Sequence, residues 1–136
     1  FNYIITLGGL RRDEKITTPK LYCAASDKEA LKDALAMGAS ILGGQIFGVA
    51  GLLVALGKLR GSKGFCLLAE TPGFYPDVQA AHVALKPICN MLRLNVSLDR
   101  LEVAAEETRK ILESFGLLET PLEERRKEES EYRWFV

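Results

Sequence analysis

The sequence predicts an α/β fold in which helices flank a central, mostly parallel β-sheet. The first observation behind this prediction is that short apolar runs alternate with segments of helical periodicity along the chain. The second is the stretch 41–77, which contains a glycine-rich loop, an apolar helix, a turn, an apolar strand and a second loop rich in glycine and proline. The strand in that stretch is a continuous apolar run, which is typical of a strand buried on both faces.

Two strands and one helix are predicted first. Residues 1–7 form the first strand, which is expected to end at a pair of glycines, and residues 21–25 form the second strand. Ser26 or Asp27 then caps a helix, because these side chains accept hydrogen bonds from the free N–H groups of a first helical turn. Gly38 ends that helix, since glycine adopts the left-handed conformation that closes many helices.

The central helix is predicted over residues 46–59 and has almost no polar face. Such a helix must be covered on most sides, so we expect it to lie in the core. Glycines within it lower helix propensity by roughly 1 kcal/mol each relative to alanine, and they indicate close approach of a strand. The strand predicted over residues 65–69 follows the helix and ends at Glu70.

Two further helices are predicted after this core. Asp77 caps a helix over residues 78–92, and the next helix begins at Ser97 or Asp99 and ends at Gly116. Apolar residues recur through both helices at the three- and four-residue spacing of an amphipathic helix. Both helices therefore present one apolar face to a core.

The C-terminal segment, residues 119–136, differs in composition from the domain expected over residues 1–118. Residues 120–123 form a capping box with proline at the first helical position, so a polar helix begins there. Its continuation is almost entirely charged and has no apolar stripe. The segment nevertheless ends in aromatic and apolar residues: Tyr132, Trp134, Phe135 and Val136. Exposed aromatic residues at the end of a polar tail indicate a binding partner.

Composition and charge argue against several classes of protein. With 136 residues, 48% of them hydrophobic and 26% charged, the chain fits one globular domain. The net charge is zero and no basic patch alternates with aromatic residues, which argues against nucleic acid as a partner. The three cysteines are widely spaced in apolar runs, which is typical of buried thiols in an intracellular protein. We therefore expect a cytoplasmic location.

One apolar run approaches the length of a membrane span. Residues 39–57 contain only Ser40 and Gln45 as polar side chains. Five glycines interrupt the run, and no tryptophan or tyrosine marks a membrane interface. The run therefore favours a soluble core over a transmembrane helix, and we expect no membrane partner.

Few residues indicate catalysis or metal binding. No motif places a nucleophile against His82, and one histidine with three scattered cysteines offers no metal-ligand pair, so we predict no catalytic residue, metal or cofactor. Gly43, Gly44 and Gln45 precede a helix, where backbone N–H groups can hold an anion; alternatively they form a tight loop that admits the helix against the sheet. Glu70 ends a buried strand, where open α/β sheets bind ligands.

Three stretches of the chain form a distinctive combination. They are GGQIFGVAGLLVALGKLRG over residues 43–61, KGFCLLAETPGFYPDVQAA over residues 63–81, and the helix LDRLEVAAEE over residues 98–107. In this order, over roughly residues 1–118, the chain resembles the archaeal branch of the proteasome assembly chaperone family, the relatives of the second eukaryotic assembly chaperone. The resemblance implies a fold like that of nucleoside phosphorylases, homo-oligomeric association and no established catalytic activity. It also implies that the N-terminal portion of the family domain is absent from this chain.

The resemblance also implies a role for the C-terminal residues. Family members that act on the 20S proteasome carry a terminal motif of a hydrophobic residue, tyrosine and any residue, which inserts between α-subunits. Trp134, Phe135 and Val136 are similar to this motif, with phenylalanine in place of tyrosine. The missing hydroxyl removes one hydrogen-bonding group, worth about 1 kcal/mol. The implied partners are 20S proteasome α-subunits, bound by a homo-oligomer for which a tetramer or pentamer is favoured.

These residues support three functional hypotheses. The first is a non-enzymatic proteasome assembly chaperone or activator that docks on the α-ring through the C-terminal tail. The second is a ligand-binding protein or enzyme with a nucleoside-phosphorylase-like cleft, in which the backbone of residues 43–45 holds phosphate and Glu70 holds a sugar hydroxyl. The third is a structural, homo-oligomeric interaction module whose tail packs on a neighbouring copy.

Overall fold

The computed structural model describes residues 2–14 and 16–116 of the chain. These residues fall into two compact units. The first comprises the described residues up to Gly73 together with Asp77–Ser97, and the second comprises Phe74–Pro76 and the described residues from Leu98 onward. The helices and strands, in chain order, are β1 (Tyr3–Arg11), β2 (Leu21–Ala25), α1 (Lys28–Ala36), β3 (Ser40–Ile41), α2 (Val49–Leu59), β4 (Lys63–Thr71), α3 (Val78–Met91) and α4 (Asp99–Ser114).

The strands of the first unit form one sheet with the order β1-β4-β2-β3. Strand β1 pairs in parallel with β4 along its whole length, from Tyr3 opposite Lys63 to Arg11 opposite Thr71. Strand β2 pairs antiparallel with β4, and β3 pairs in parallel with β2. The predicted mostly parallel sheet is therefore confirmed, since two of its three pairings are parallel.

Strand β4 lies inside the sheet and is buried on both faces. Phe65 and Leu67 belong to the core on one face, where α1 and α3 pack. Cys66 and Leu68 belong to the core on the other face, where α2 packs. This arrangement confirms the strand predicted to be buried on both faces, and helices on both sides of the sheet give the predicted α/β architecture.

Two aspartates begin helices as the sequence predicts. The Asp27 carboxylate accepts hydrogen bonds from the backbone N–H groups of Glu29, at 2.9 Å, and Ala30, at 3.0 Å, at the start of α1. The Asp77 carboxylate accepts a hydrogen bond from the N–H of Ala80, at 3.0 Å, at the start of α3. These bonds satisfy N–H groups that have no partner within the first turn of a helix.

The first strand is longer than predicted because it continues through two glycines. Strand β1 passes Gly8 and Gly9, where it was expected to end, and reaches Arg11. A Cβ atom at Gly8 would lie 2.8 Å from Cδ2 of Leu68. A Cβ atom at Gly9 would lie 2.8 Å from Cγ2 of Thr71. The glycines therefore make room for side chains of β4 and do not form a turn.

The central helix departs most from its prediction. Helix α2 begins at Val49, after Gly48 at a φ of +96°, and not at residue 46. It packs on β1 and β4 through one side, where Val54 and Gly57 are buried. The opposite side is apolar and exposed. The prediction that most sides are covered is wrong for the described part of the chain, because an apolar pattern indicates that a surface needs cover and does not specify what supplies it.

Other expectations have separate outcomes. Among the described residues, no helix is both long enough and apolar enough to cross a membrane. The cysteines are free thiols: Cys23 and Cys66 are buried, as predicted, and Cys89 is half-buried. The boundary predicted after residue 118 and the helix predicted to begin at residues 120–123 lie outside the described residues and stay predictions.

Candidate functional site

The Glu70 side chain, near the carboxyl end of β4, is held by three donors. Its Oε1 accepts hydrogen bonds from Nε of Arg12 and from the hydroxyl of Tyr22, both at 3.2 Å, and its Oε2 accepts one from the N–H of Lys20 at 3.1 Å. The Glu70 side chain is only 13% exposed. Since the donors come from β2 and from the loop that precedes it, Glu70 ties this loop to the sheet.

The hydrogen bonds keep Glu70 ionised. Burial by itself would raise the pKa of Glu70, but the hydrogen bonds from Lys20, Tyr22 and Arg12, together with the charge of Arg12, lower the pKa below its usual value. The Arg12 guanidinium also lies 5.4 Å from the centre of the Tyr22 ring, within the range of a cation–π contact. A carboxyl group with a lowered pKa is a poor general acid at neutral pH.

An open depression of about 740 Å³ lies beside Glu70, where β1 and β4 end. Its charged lining residues are Arg11, Arg12, Lys20, Asp13, Glu14 and Glu70. The positive and negative groups among these described residues balance, so the depression does not favour ligands of one charge. Its place nevertheless matches the edge where open α/β sheets bind ligands, and a ligand role for Glu70 stays a prediction.

The glycine-rich loop lies apart from this depression. Gly43, Gly44 and Gln45 are exposed, and none of them lines the depression beside Glu70. Gly44 has a φ of +128°, a conformation that favours glycine. Residues 46–48 separate the loop from the first turn of α2. The structure thus does not bring the loop and Glu70 into one site, and an anion-binding role for the loop stays a prediction.

A broad apolar surface is the feature that sequence reasoning missed. We call it the α2 face, and it consists of Phe47, Val49, Leu52, Leu53, Leu56 and Leu59. The exposed fraction ranges from 46% at Leu53 to 85% at Phe47. The signal in the sequence was Gly57, which lies against Ile4 of β1 and so leaves the leucines on the outer side of the helix; Gly51 instead lies against Ile46 of the preceding loop. Monomeric proteins rarely expose so many large apolar side chains together, so the α2 face is a candidate interaction surface.

The remaining candidate residues form no catalytic set within the described ranges. No group of three or more His, Cys, Asp or Glu side chains among the described residues is arranged to hold a metal ion. His82 is half-buried on α3. Burial raises the pKa of the Cys23 and Cys66 thiols, which disfavours the reactive thiolate. The predicted proteasome-binding residues lie outside the described residues: Tyr132, Trp134, Phe135 and Val136.

Comparison with known sequences places most of the chain in one family. The sequence model of the PAC2 family matches residues 1–115. The chain belongs to the PAC2 family. An uncharacterized protein of Methanocaldococcus jannaschii is 31% identical to this PAC2 chain over 120 residues, which are 87% of this chain and 46% of that protein.

Two solved structures from Pyrococcus furiosus are 31% identical to this PAC2 chain. One is the monoclinic form of PbaA, described as an archaeal homolog of proteasome-assembly chaperone, with a TM-score of 0.73 over 99% of this chain and 56% of that chain. The other is PbaB, described as an archaeal proteasome activator, with a TM-score of 0.69 over 85% of this chain and 51% of that chain. A protein of unknown function from Thermoplasma acidophilum shares the fold at 20% identity and a TM-score of 0.65.

These likenesses confirm the predicted α/β fold class and the resemblance to archaeal homologues of proteasome assembly chaperones. The PAC2 chain spans about half the length of the relatives it matches. Each relative therefore contains a comparable length of sequence that has no counterpart in these 136 residues.

Proposed function

We propose that this PAC2 protein is a non-enzymatic proteasome assembly chaperone or activator. The observation that carries the proposal is its 31% identity, with TM-scores of 0.73 and 0.69, to PbaA, an archaeal homolog of proteasome-assembly chaperone, and PbaB, an archaeal proteasome activator. The exposed α2 face and the closed hydrogen-bond network of Glu70 also fit a binding protein better than an enzyme.

The proposed docking element is the C-terminal tail, which inserts between α-subunits of the 20S proteasome. A short aromatic segment fits a hydrophobic pocket between neighbouring subunits, and aromatic residues contribute most to such contacts. Trp134 and Phe135 are the proposed anchors, flanked by Tyr132 and Val136. The charged sequence that precedes them favours a tail that remains accessible to a partner.

A homo-oligomer would strengthen this docking. A tetramer or pentamer presents several copies of one tail to the α-ring at high effective concentration. Linked sites of this kind can raise overall affinity by about 10²–10⁴ without any new contact. We place this assembly in the cytoplasm, in accord with the free thiols of the described cysteines.

Removal of residues 134–136 tests the docking element. We expect the truncated protein to lose both binding to an archaeal 20S proteasome and stimulation of peptide hydrolysis, while its assembly mass stays unchanged. Phe135→Tyr is the matched variant, and it should bind about fivefold more tightly because one hydrogen bond contributes about 1 kcal/mol. Equal binding by full and truncated proteins would contradict docking through the tail. A changed assembly mass would instead favour a structural module whose tail packs on a neighbouring copy.

The depression beside Glu70 favours a second candidate function, that of a ligand-binding protein or enzyme with a nucleoside-phosphorylase-like cleft. Its volume of about 740 Å³ falls within the range of small-molecule sites. In this function Glu70 would bind a sugar hydroxyl in the depression, whereas phosphate held by Gly43, Gly44 and Gln45 would occupy a separate site, because the loop does not line the depression. A thermal-shift screen with nucleosides and phosphate tests it, because a ligand at a hundred times its Kd adds about 2.7 kcal/mol of stability. The absence of any shift would remove this candidate.

A further inference from the structure

The outward side of α2 is fixed by contacts on its inward side. The Thr6 hydroxyl donates a hydrogen bond to the carbonyl of Ala50 at 3.1 Å, which anchors the first turn to β1. Near the other end, Gly57 lies so close to β1 that a Cβ atom there would be 2.5 Å from Cδ1 of Ile4. Val54, between these points, is only 7% exposed. Helix α2 therefore cannot turn its leucines toward the sheet without breaking these contacts.

The outward residues of α2 follow the spacing of a helix–helix seam. The positions i, i+3, i+4, i+7 and i+10 are occupied by Val49, Leu52, Leu53, Leu56 and Leu59. Residues at this spacing align along one side of a helix. The series contains no charged or polar residue. An uninterrupted apolar seam of this kind packs well against a second helix.

The size of the α2 face also matches an interface. From the exposed fractions of its six side chains, the face presents roughly 700 Å², close to the 800 Å² that each partner buries in a standard protein–protein interface. The largest apolar patch on a typical monomer is about 300–600 Å². The α2 face therefore has the area of one half of a symmetric interface.

We propose that the α2 face binds the same face of a second copy of this chain, with the two α2 helices antiparallel. The cations of α2 and its C-cap, Lys58 and Arg60, lie at one end of the helix only. A parallel pairing would bring these cations of both copies together. An antiparallel pairing separates them by about 15 Å, the length of ten helical residues, which exceeds the Debye length of about 8 Å at physiological salt. It sets Val49 of one copy opposite Leu59 of the partner.

This pairing rests on the proposed function and narrows it, because it names one contact of the multivalent assembly and requires the tetramer and not the pentamer. It does not depend on proteasome binding, however. Its test uses the protein alone, so the pairing can fail while tail docking holds, and tail docking can fail while the pairing holds.

The mass of the assembly in solution tests the pairing. By light scattering, we expect the wild-type chain to form an even multiple of its 15.0 kDa mass, and Leu53→Glu/Leu56→Glu to lose at least half of the assembly mass. Leu35→Glu, on α1, is the matched control. Leu35 is 42% exposed, close to the 46% of Leu53 and the 47% of Leu56, but it lies outside the α2 face, so the control should keep the wild-type mass.

Several results would overturn the pairing. They are a monomeric wild-type chain, an odd-numbered assembly such as a pentamer, and a double variant whose mass is unchanged. A monomeric wild type whose double variant melts at a lower temperature would show that another segment of the same chain covers the α2 face. Circular dichroism checks that the double variant is folded. If it is not folded, the cysteine cross-linking described next tests the pairing instead.

Cysteine cross-linking distinguishes antiparallel from parallel helices and needs no glutamate variant. In an oxidised mixture of Val49→Cys and Leu59→Cys proteins, the antiparallel pairing gives a disulfide between the two variants. Neither variant alone gives a disulfide. In a pair made of two copies of the same variant, the two introduced thiols, one from each copy, lie about 15 Å apart. The wild type controls for Cys23, Cys66 and Cys89, of which the first two are buried. A disulfide in Val49→Cys alone, or none in the mixture, would overturn the proposal.

Discussion

Helices α2 and α3 pack on opposite faces of the same strand, β4, and they present different surfaces to the outside. The buried residues of α3 are Ala80, Ala84 and Ile88. Its exposed residues include the polar side chains Gln79, Lys86 and Asn90. The buried residues of α2 are Val54 and Gly57, and its exposed side is rich in leucine. Both helices bury only two or three residues against the sheet. They differ in their exposed sides: the polar side of α3 is typical of a helix in contact with solvent, whereas the apolar side of α2 is a candidate interface.

The largest loss of stability is expected where α3 meets the sheet. Ile88→Ala removes a side chain that is 7% exposed and belongs to the same core as Phe65 and Leu67. We expect the free energy of unfolding to fall by about 3 kcal/mol, because the lost side chain leaves a cavity. Urea denaturation measures this change. A loss of about 0.5 kcal/mol, the size typical of surface positions, would contradict the packing of α3 on this core.

A smaller loss is expected from added bulk on the inward side of α2. Gly57→Leu places atoms where a Cβ alone would lie 2.5 Å from Cδ1 of Ile4. Overpacking of this kind costs about 2 kcal/mol. Ala55→Leu is the matched control, because Ala55 lies on the same helix and is exposed. Equal melting temperatures of the two variants would contradict the orientation of α2.

A substitution at Glu70, on β4, gives a reference value for the change in stability, because it alters no residue of α2 or α3. Glu70→Gln should cost on the order of 1 kcal/mol at neutral pH, because the amide replaces an acceptor toward which three donors point. The folded pKa of Glu70 is lowered, so its contribution is fully present above the unfolded value of about 4.3 and is lost as pH falls through the folded pKa.

The measurement is urea denaturation of the wild type and of Glu70→Gln across acid pH. The stability difference between the two proteins should be largest near neutral pH and should shrink as the pH falls below about 4. A difference that stays constant with pH would mean that the Glu70 carboxylate is not stabilised by its donors.

The smallest effect on stability is expected on the outward side of α2. Leu52 is 56% exposed in the single chain, so Leu52→Gln should change the free energy of unfolding of the dissociated chain by about 0.5 kcal/mol or less. The same variant should weaken self-association, which light scattering measures over a dilution series. Lys86→Leu is the reverse change on the exposed side of α3, and a single leucine there should create no new assembly. A large loss of stability in Leu52→Gln would erase the difference between the two helices.

Elements with local signals were predictable from the sequence. Strand β4 contains a continuous apolar run at residues 65–69, bounded by turn residues, and Asp27 and Asp77 stand directly before segments of helical periodicity. Strand β3 has no such signal, because it consists of only Ser40–Ile41. The glycines of β1 were misleading, since a pair of glycines in sequence indicates a turn as readily as it indicates close packing between strands.

The candidate sites depend on information that is not local. The donors Arg12, Lys20 and Tyr22 stand 58, 50 and 48 residues from Glu70 in the sequence, so no motif connects them. The position of Glu70 at a strand end was predictable, but its hydrogen-bond network was not. For α2, the near absence of polar residues predicted a helix that needs cover on most sides, and only the packing of Gly57 against β1 identified which side meets the sheet.

The pairing of β1 with β4 also determines the order in which this fold can form. Tyr3 pairs with Lys63, sixty residues later, and β2, α1, β3 and α2 lie between them. Contacts between distant segments form slowly, because the chain loses the entropy of closing a long loop before the contacts stabilise it. During translation, the nine residues of β1 are made before β4 exists, so their native partner is missing in that interval. The described strand β1 therefore depends, for its pairing in this sheet, on a segment that is made sixty residues later.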